Sequence, residues 1–180
     1  MADIRLYAIM EREDDPKKCT AARLVKAGEL REVKGSSGPP RGAVVLDPEA
    51  ETAISREDRS AASKFGILVL DCSWNRLEKF PVIRRGLRHR ALPFVLAANP
   101  TNFGKAQRLS SAEALAASLY IIGEKVRAEK LMSRFKWGPT FIDINRALLD
   151  QYAAAETSSE VVRVQNDVLR SLVVAAKDER

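Results

Sequence analysis

The stretch Gly66-Ile67-Leu68-Val69-Leu70-Asp71-Cys72-Ser73-Trp74 decides the fold. Ile67 to Leu70 is a short, unbroken run of branched apolar residues. Such a run predicts a strand buried on both faces, as in a parallel sheet covered by helices. It stops at Asp71-Cys72-Ser73-Trp74, which places a carboxylate, a hydroxyl and a large aromatic ring at the carboxyl end of that strand. In open α/β sheets ligands bind at this end. A purely structural alternative has Asp71 capping a turn and Trp74 filling the core.

Working outward, similar strands recur. Ile4 to Met10 alternates like a strand, Ala43-Val44-Val45-Leu46 is a second apolar run ending at Asp47-Pro48, and Leu92 to Ala98 is another, ending in Asn99-Pro100-Thr101-Asn102-Phe103-Gly104. Helical segments separate them. Thr20 to Leu30 offers Leu24, Val25 and Leu30 to a core, and Ser55-Arg56-Glu57-Asp58 resembles a capping box opening a short helix to about Lys64. Four strands alternating with helices imply a parallel sheet. After Gly104 the pattern is helical throughout. Ser110 and Glu113 form one capping box and Thr157 and Glu160 another, Gly123 breaks a helix, and Phe141, Ile144, Leu148 and Tyr152 recur at helical spacing. The expected architecture is an α/β domain over residues 1–91, followed by a mainly helical domain over 92–180.

The 180 residues, 46% of them hydrophobic, suffice for one sizeable core or two small domains. No apolar run approaches the roughly 20 residues that span a bilayer, and the N-terminus lacks a signal-peptide layout. A soluble, cytoplasmic protein is expected, without membrane association. Two cysteines, Cys19 and Cys72, fit a reducing compartment, and with a single histidine they make no zinc site. The net charge is +6, from 30 Lys and Arg against 24 Asp and Glu, which favours a polyanionic partner. The basic residues cluster twice. Lys17 and Lys18, with Arg23 and Lys26 on the next helix, follow the first strand. Arg84, Arg85, Arg88, His89 and Arg90 precede the last. Both clusters flank the proposed ligand edge, as an electrostatic funnel for single-stranded RNA would. The glycine-rich dinucleotide and phosphate fingerprints and the nucleophile elbow are absent from the sequence, so any chemistry must come from a few carboxylates, hydroxyls and backbone groups acting on a reactive cofactor.

Several motifs in fixed order carry a resemblance over roughly residues 3–152: Asp15-Pro16-Lys17-Lys18-Cys19-Thr20, Leu70-Asp71-Cys72-Ser73-Trp74, Leu92-Pro93, Ala97-Ala98-Asn99-Pro100-Thr101-Asn102-Phe103-Gly104, Ala112-Glu113-Ala114-Leu115-Ala116-Ala117, Phe135-Lys136-Trp137-Gly138 and Asn145. The sequence resembles the small-subunit ribosomal RNA aminocarboxypropyltransferase family, archaeal type. The resemblance implies transfer of the 3-amino-3-carboxypropyl group of S-adenosylmethionine to a ring nitrogen of a uridine or pseudouridine, with methylthioadenosine as by-product. It also implies a SPOUT-like trefoil knot in the parallel sheet, an all-helical C-terminal domain, and a monomer in which that domain replaces the usual SPOUT dimer interface.

For the cofactor the resemblance implies Trp74, Leu46 and Pro48 around the adenine and the Leu70 backbone at the ribose. Thr20 would receive the methionine carboxylate, and Leu92, Gln107, Ser111 and Leu115 would make further contacts. Gln107 departs from the aromatic residue expected at its position, and Phe103 stands where relatives often carry Tyr. Asp71 is the candidate catalytic residue, taking or orienting the proton of the attacking nitrogen. Two other functions fit the residues: an RNA methyltransferase using the same cofactor, and a non-catalytic ribosome-assembly factor that binds rRNA through the basic strips.

Overall fold

The computed structural model describes residues 3–10, 19–34, 38–71 and 86–178, the side chain of Asp178 excepted. Five strands, β1 (Leu6–Met10), β2 (Arg31–Glu32), β3 (Val44–Leu46), β4 (Ile67–Asp71) and β5 (Arg88–Arg90), form one sheet in the order β2-β1-β4-β3-β5. Every pairing is parallel. The apolar run that opened the sequence reading is the central strand β4. It runs the full length of β1, from Leu6 opposite Ile67 to Met10 opposite Asp71.

Both sheet faces are buried, but by different means. Leu6, Ala8, Val44, Leu46, Ile67 and Val69 point into the main core, which receives the buried residues of every described helix. Tyr7, Ile9, Val33, Val45 and Leu68 form a smaller cluster on the other face. The helices are α1 (Thr20–Lys26), α2 (Arg59–Phe65), α3 (Ser111–Ile121), α4 (Lys125–Met132), α5 (Gly138–Ala154) and α6 (Ser158–Asp178). The expected capping boxes form at Ser55–Asp58 and Ser110–Glu113. At the start of α6, Glu160 Oε2 accepts from Thr157 N–H while Thr157 Oγ1 accepts from Glu160 N–H. Gly123, at φ +98°, separates α3 from α4. Gly138 opens α5 so close to the end of α4 that a Cβ there would lie 1.8 Å from Met132 O.

Three expectations need correction. First, no separate all-helical C-terminal domain is shown among the described residues. Leu115, Leu119, Met132, Phe141 and Tyr152 lie in one continuous core with β1, β3 and β4. Leu and aromatic stripes on α3, α4 and α5 need an apolar partner, and the sheet supplies it. Second, the SPOUT-like trefoil knot gives way to a five-stranded parallel sheet with six helices; no knot is shown among the described residues. Third, Leu92 to Ala98 is not a sheet strand. It makes only an isolated bridge, Leu96 with Ala106, and side chains take up its backbone groups. Asn145 accepts from Leu96 N–H (2.8 Å) and donates to Leu96 O (2.9 Å), Gln165 accepts from Phe94 N–H (2.8 Å), and Tyr152 donates to Phe94 O (2.9 Å). Buried backbone must be paired, and here side chains of α3, α5 and α6 share the pairing with the backbone of residues 104–107. Asn145 is therefore fully buried, whereas Ile144, one of the residues at helical spacing, is 41% exposed.

Candidate active site

The strand order locates the site without reference to any motif. After β1 the chain passes through α1 to β2, on one side of the sheet. After β4 it passes to β5, on the other. The adjacent strands β1 and β4 thus send their connections in opposite directions, and the crevice at their carboxyl ends is a topological switch point. Asp71 is the last residue of β4, and Cys19 caps the helix that follows β1.

These residues meet. Asp71 Oδ1 accepts from Ser111 Oγ at 2.6 Å, and Oδ2 accepts from the Cys19 thiol at 3.0 Å. Cys19 is the N-cap of α1, where its sulfur accepts from Ala22 N–H at 3.3 Å. Thr20, the first residue of α1, accepts from Ala112 N–H through Oγ1 at 3.1 Å. The starts of α1 and α3 are therefore tied to each other and to the end of β4. Burial, reinforced by the hydrogen bond to Asp71 and its negative charge, pushes the Cys19 thiol up to about 11 against the opposing pull of Ala22 N–H. The thiol is thus protonated at neutral pH, a donor and not a nucleophile. Sequence reasoning missed this residue; its one signal is a position directly before a helix start and beside Thr20.

Behind the site sits a fully buried carboxylate, Glu113. Its Oε1 accepts from the N–H groups of Ala98 (2.6 Å) and Asn99 (2.9 Å). Its Oε2 accepts from Asn99 Nδ2 and from Ser110 N–H, both at 2.7 Å. Four donors thus satisfy both oxygens of this buried side chain. Glu113 fixes the loop leading into Ser111 on the first turn of α3.

The remaining expected cofactor residues distribute unevenly. Leu46 is buried at the end of β3, Leu70 and Leu92 are half-buried, and Pro48 is exposed just beyond β3. Gln107 is exposed and left-handed (φ +58°), donating weakly to Leu92 O at 3.3 Å. Leu115 is fully buried in the core, one turn past Ser111. Trp74 lies outside the described residues, as do Lys17, Lys18, Arg84 and Arg85. Of the other basic residues, Lys26 and Arg88 are exposed. Arg23 is also exposed, and its guanidinium stacks over Phe135 at 4.6 Å. Arg90 has a structural partner: its Nε donates to both oxygens of Asp58 (2.9 and 3.0 Å), which is 1% exposed. His89 Nδ1 lies 2.8 Å from Asp47 Oδ2. Among the described residues no group of His, Cys, Asp and Glu could hold a metal ion.

Comparison with known proteins gives the family. Residues 44–169 match the family model described as ribosome biogenesis protein, C-terminal. The 16S rRNA aminocarboxypropyltransferase of Methanopyrus kandleri is 52% identical over 91% of this chain and 98% of its own length. The chain belongs to the 16S rRNA aminocarboxypropyltransferase family. A second member, from Methanothermobacter thermautotrophicus, is also 52% identical, over 85% of this chain and 91% of its own. The solved structure of the SAM-dependent rRNA:acp-transferase Tsr3 from Vulcanisaeta distributa has a TM-score of 0.80 and 38% identity, covering 93% of this chain and 97% of that one. The likeness covers nearly all of both chains, so this chain shares the fold of that transferase.

Proposed function

We propose that this protein transfers the 3-amino-3-carboxypropyl group of S-adenosylmethionine to a ring nitrogen of a uridine or pseudouridine in 16S rRNA, as part of ribosome biogenesis. The observation that carries the reading is identity above one half along nearly the whole length of a transferase of that name. The switch-point site supports it. Its donor set suits a zwitterionic, cationic cofactor: the Asp71 carboxylate for positive charge, the Thr20 hydroxyl at a helix start for the methionine carboxylate, and Leu46, Leu70 and Leu92 for an apolar adenine. Pro48, Trp74, Ser111 and Gln107 complete the proposed contacts, and Leu115 supports Ser111 from the core.

S-adenosylmethionine, when bound, supplies an electrophilic carbon next to a sulfur that departs with its bonding electron pair as the thioether methylthioadenosine. The residues of this chain orient and deprotonate. A carboxylate oxygen has two lone pairs, so Asp71 keeps acceptor capacity after binding Ser111 and Cys19. It uses that capacity to accept or align the N–H proton of the target base as the N–C bond forms. Because both its present partners are neutral donors, Asp71 is held in place without being neutralised. Aiming the aminocarboxypropyl carbon, not the methyl, at the base is a matter of positioning. Arg23, Lys26 and Arg88, with Lys17, Lys18, Arg84 and Arg85, provide the phosphate contacts, while Arg90 acts through Asp58.

A monomer is proposed as the working unit. Among the described residues no helix is long and apolar enough to cross a membrane; a cytoplasmic location is proposed from the rRNA substrate. The test uses S-adenosylmethionine labelled either in the methyl or in the carboxyl group, with unmodified small-subunit rRNA. Carboxyl label in the RNA without methyl label is the expected result. Methyl label in the RNA would make the protein a methyltransferase, and no cofactor binding at all would leave an assembly factor.

A further inference from the structure

Residues 95–107 form a small, well-braced hairpin. Ala97 N–H donates to Lys105 O (3.0 Å), Gly104 N–H to Ala97 O (2.7 Å) and Gln107 N–H to Val95 O (3.1 Å). Its turn is closed by Asn99, whose Oδ1 accepts from Asn102 N–H at 3.0 Å. Its base is held by Glu113 on one side and Asn145 on the other. At the tip stands Phe103, 63% exposed. A single exposed apolar side chain is ordinarily unremarkable on a protein surface. Three features set this one apart. The loop beneath it is fixed by a buried carboxylate and a buried amide. It is followed in the chain by Lys105 and Arg108, both exposed and without an ion-pair partner among the described residues. And the same loop runs directly into Ser110 and Ser111, the latter bound to Asp71.

An exposed aromatic ring on a braced loop, with exposed cations two and five residues further along the chain, matches the chemistry of an unpaired nucleobase. Any base can stack on the ring while the cations meet the adjoining phosphates. A base that undergoes chemistry must leave its stack, and its neighbours then lose a stacking partner. We propose that Phe103 is a stacking platform for an unpaired rRNA base next to the modified nucleotide, with Lys105 and Arg108 on the flanking phosphates. The proposal rests on the rRNA-transferase reading, but its test is separable from it.

The experiment measures binding of a fluorescently labelled RNA stem-loop with unpaired uridines to the full chain by anisotropy. S-adenosylmethionine affinity and melting temperature are measured on the same preparations. Phe103→Ala is expected to weaken RNA binding about tenfold and to leave cofactor affinity and melting unchanged. Phe103→Trp should restore binding, and Phe103→Leu, apolar but not planar, should not. Replacing Lys105 and Arg108 with Ala should lower the salt dependence of RNA binding by about one to two released counterions. Unchanged RNA affinity in Phe103→Ala, rescue by Leu as full as by Trp, or no RNA binding by the wild-type chain would each overturn the platform. If wild type binds RNA and Phe103→Ala loses it, yet no carboxyl label is transferred, the platform stands and the reaction assignment falls.

Discussion

Asp71 is held by one hydroxyl and one thiol, each from a helix start that follows a different part of the chain. Removing either donor should loosen the carboxylate without unfolding the protein. Cys19→Ala is expected to lower kcat for aminocarboxypropyl transfer by about tenfold, the effect of one lost hydrogen bond to a charged group, with KM for S-adenosylmethionine little changed. Cys19→Ser, which keeps a donor, should recover most of the loss. Asp71→Ala should bind cofactor and lose nearly all transfer; normal turnover by that variant would remove Asp71 from the chemistry. The raised thiol makes a second prediction. In a Cys72→Ser background, alkylation of Cys19 by iodoacetamide should be slow at pH 8 and accelerate only as the pH approaches about 11. Rapid labelling at neutral pH would mean that the thiol is ionised and not donating to Asp71.

At the scale of elements, what sequence could reveal followed hydrophobic contrast. β4 and β3 are apolar runs in polar surroundings, and each capping box is a local hydrogen-bond pattern, so all of them were legible. β2 (Arg31–Glu32) and β5 (Arg88–Arg90) were not, because both are edge strands. Edges face water and carry charge, and Arg88-His89-Arg90 looks like an RNA-binding strip before it looks like a strand. The opposite error occurred at Leu92 to Ala98, whose apolar character reflects packing under α5 and α6 and not membership of the sheet. No local pattern announces that Asn145, forty-nine residues away, will supply its hydrogen bonds. The Cys19–Asp71–Ser111 cluster was hidden for the same reason, although Asp71 itself stood out at the end of β4. The two arginines of β5 now separate experimentally. Arg88→Ala should weaken RNA binding and leave melting unchanged. Arg90→Ala strands the Asp58 carboxylate at 1% exposure and should cost about 3–5 kcal/mol of stability, read as a lower urea midpoint. If Arg90→Ala melts like wild type, the Asp58 pair is not structural.

For the molecule as a whole, the continuous core predicts one cooperative unit. Residues 1–91 contain all five strands, yet the face built from Leu6, Val44, Ile67 and Val69 is covered mainly by helices from beyond that point. A chain ending at residue 91 should therefore give no cooperative thermal transition, and the full chain should give a single one by both circular dichroism and fluorescence. Independent melting of the fragment would instead mark two domains.

The pairing of β1 with β4 also sets an order in time. Leu6 cannot meet Ile67 until the intervening chain exists, and the sheet gains nothing from its central ladder before then. Loop closure must be met before such non-local contacts repay it, and chains are made at about 5–20 residues per second. During synthesis β1 thus waits several seconds for its partner. The Asp71 carboxylate waits longer still, since Ser111 is made later and α3 must dock before its hydroxyl arrives. The proposed catalytic centre is consequently among the last features to form, and on that proposal a nascent chain remains inactive until its helical half has emerged and closed over the sheet.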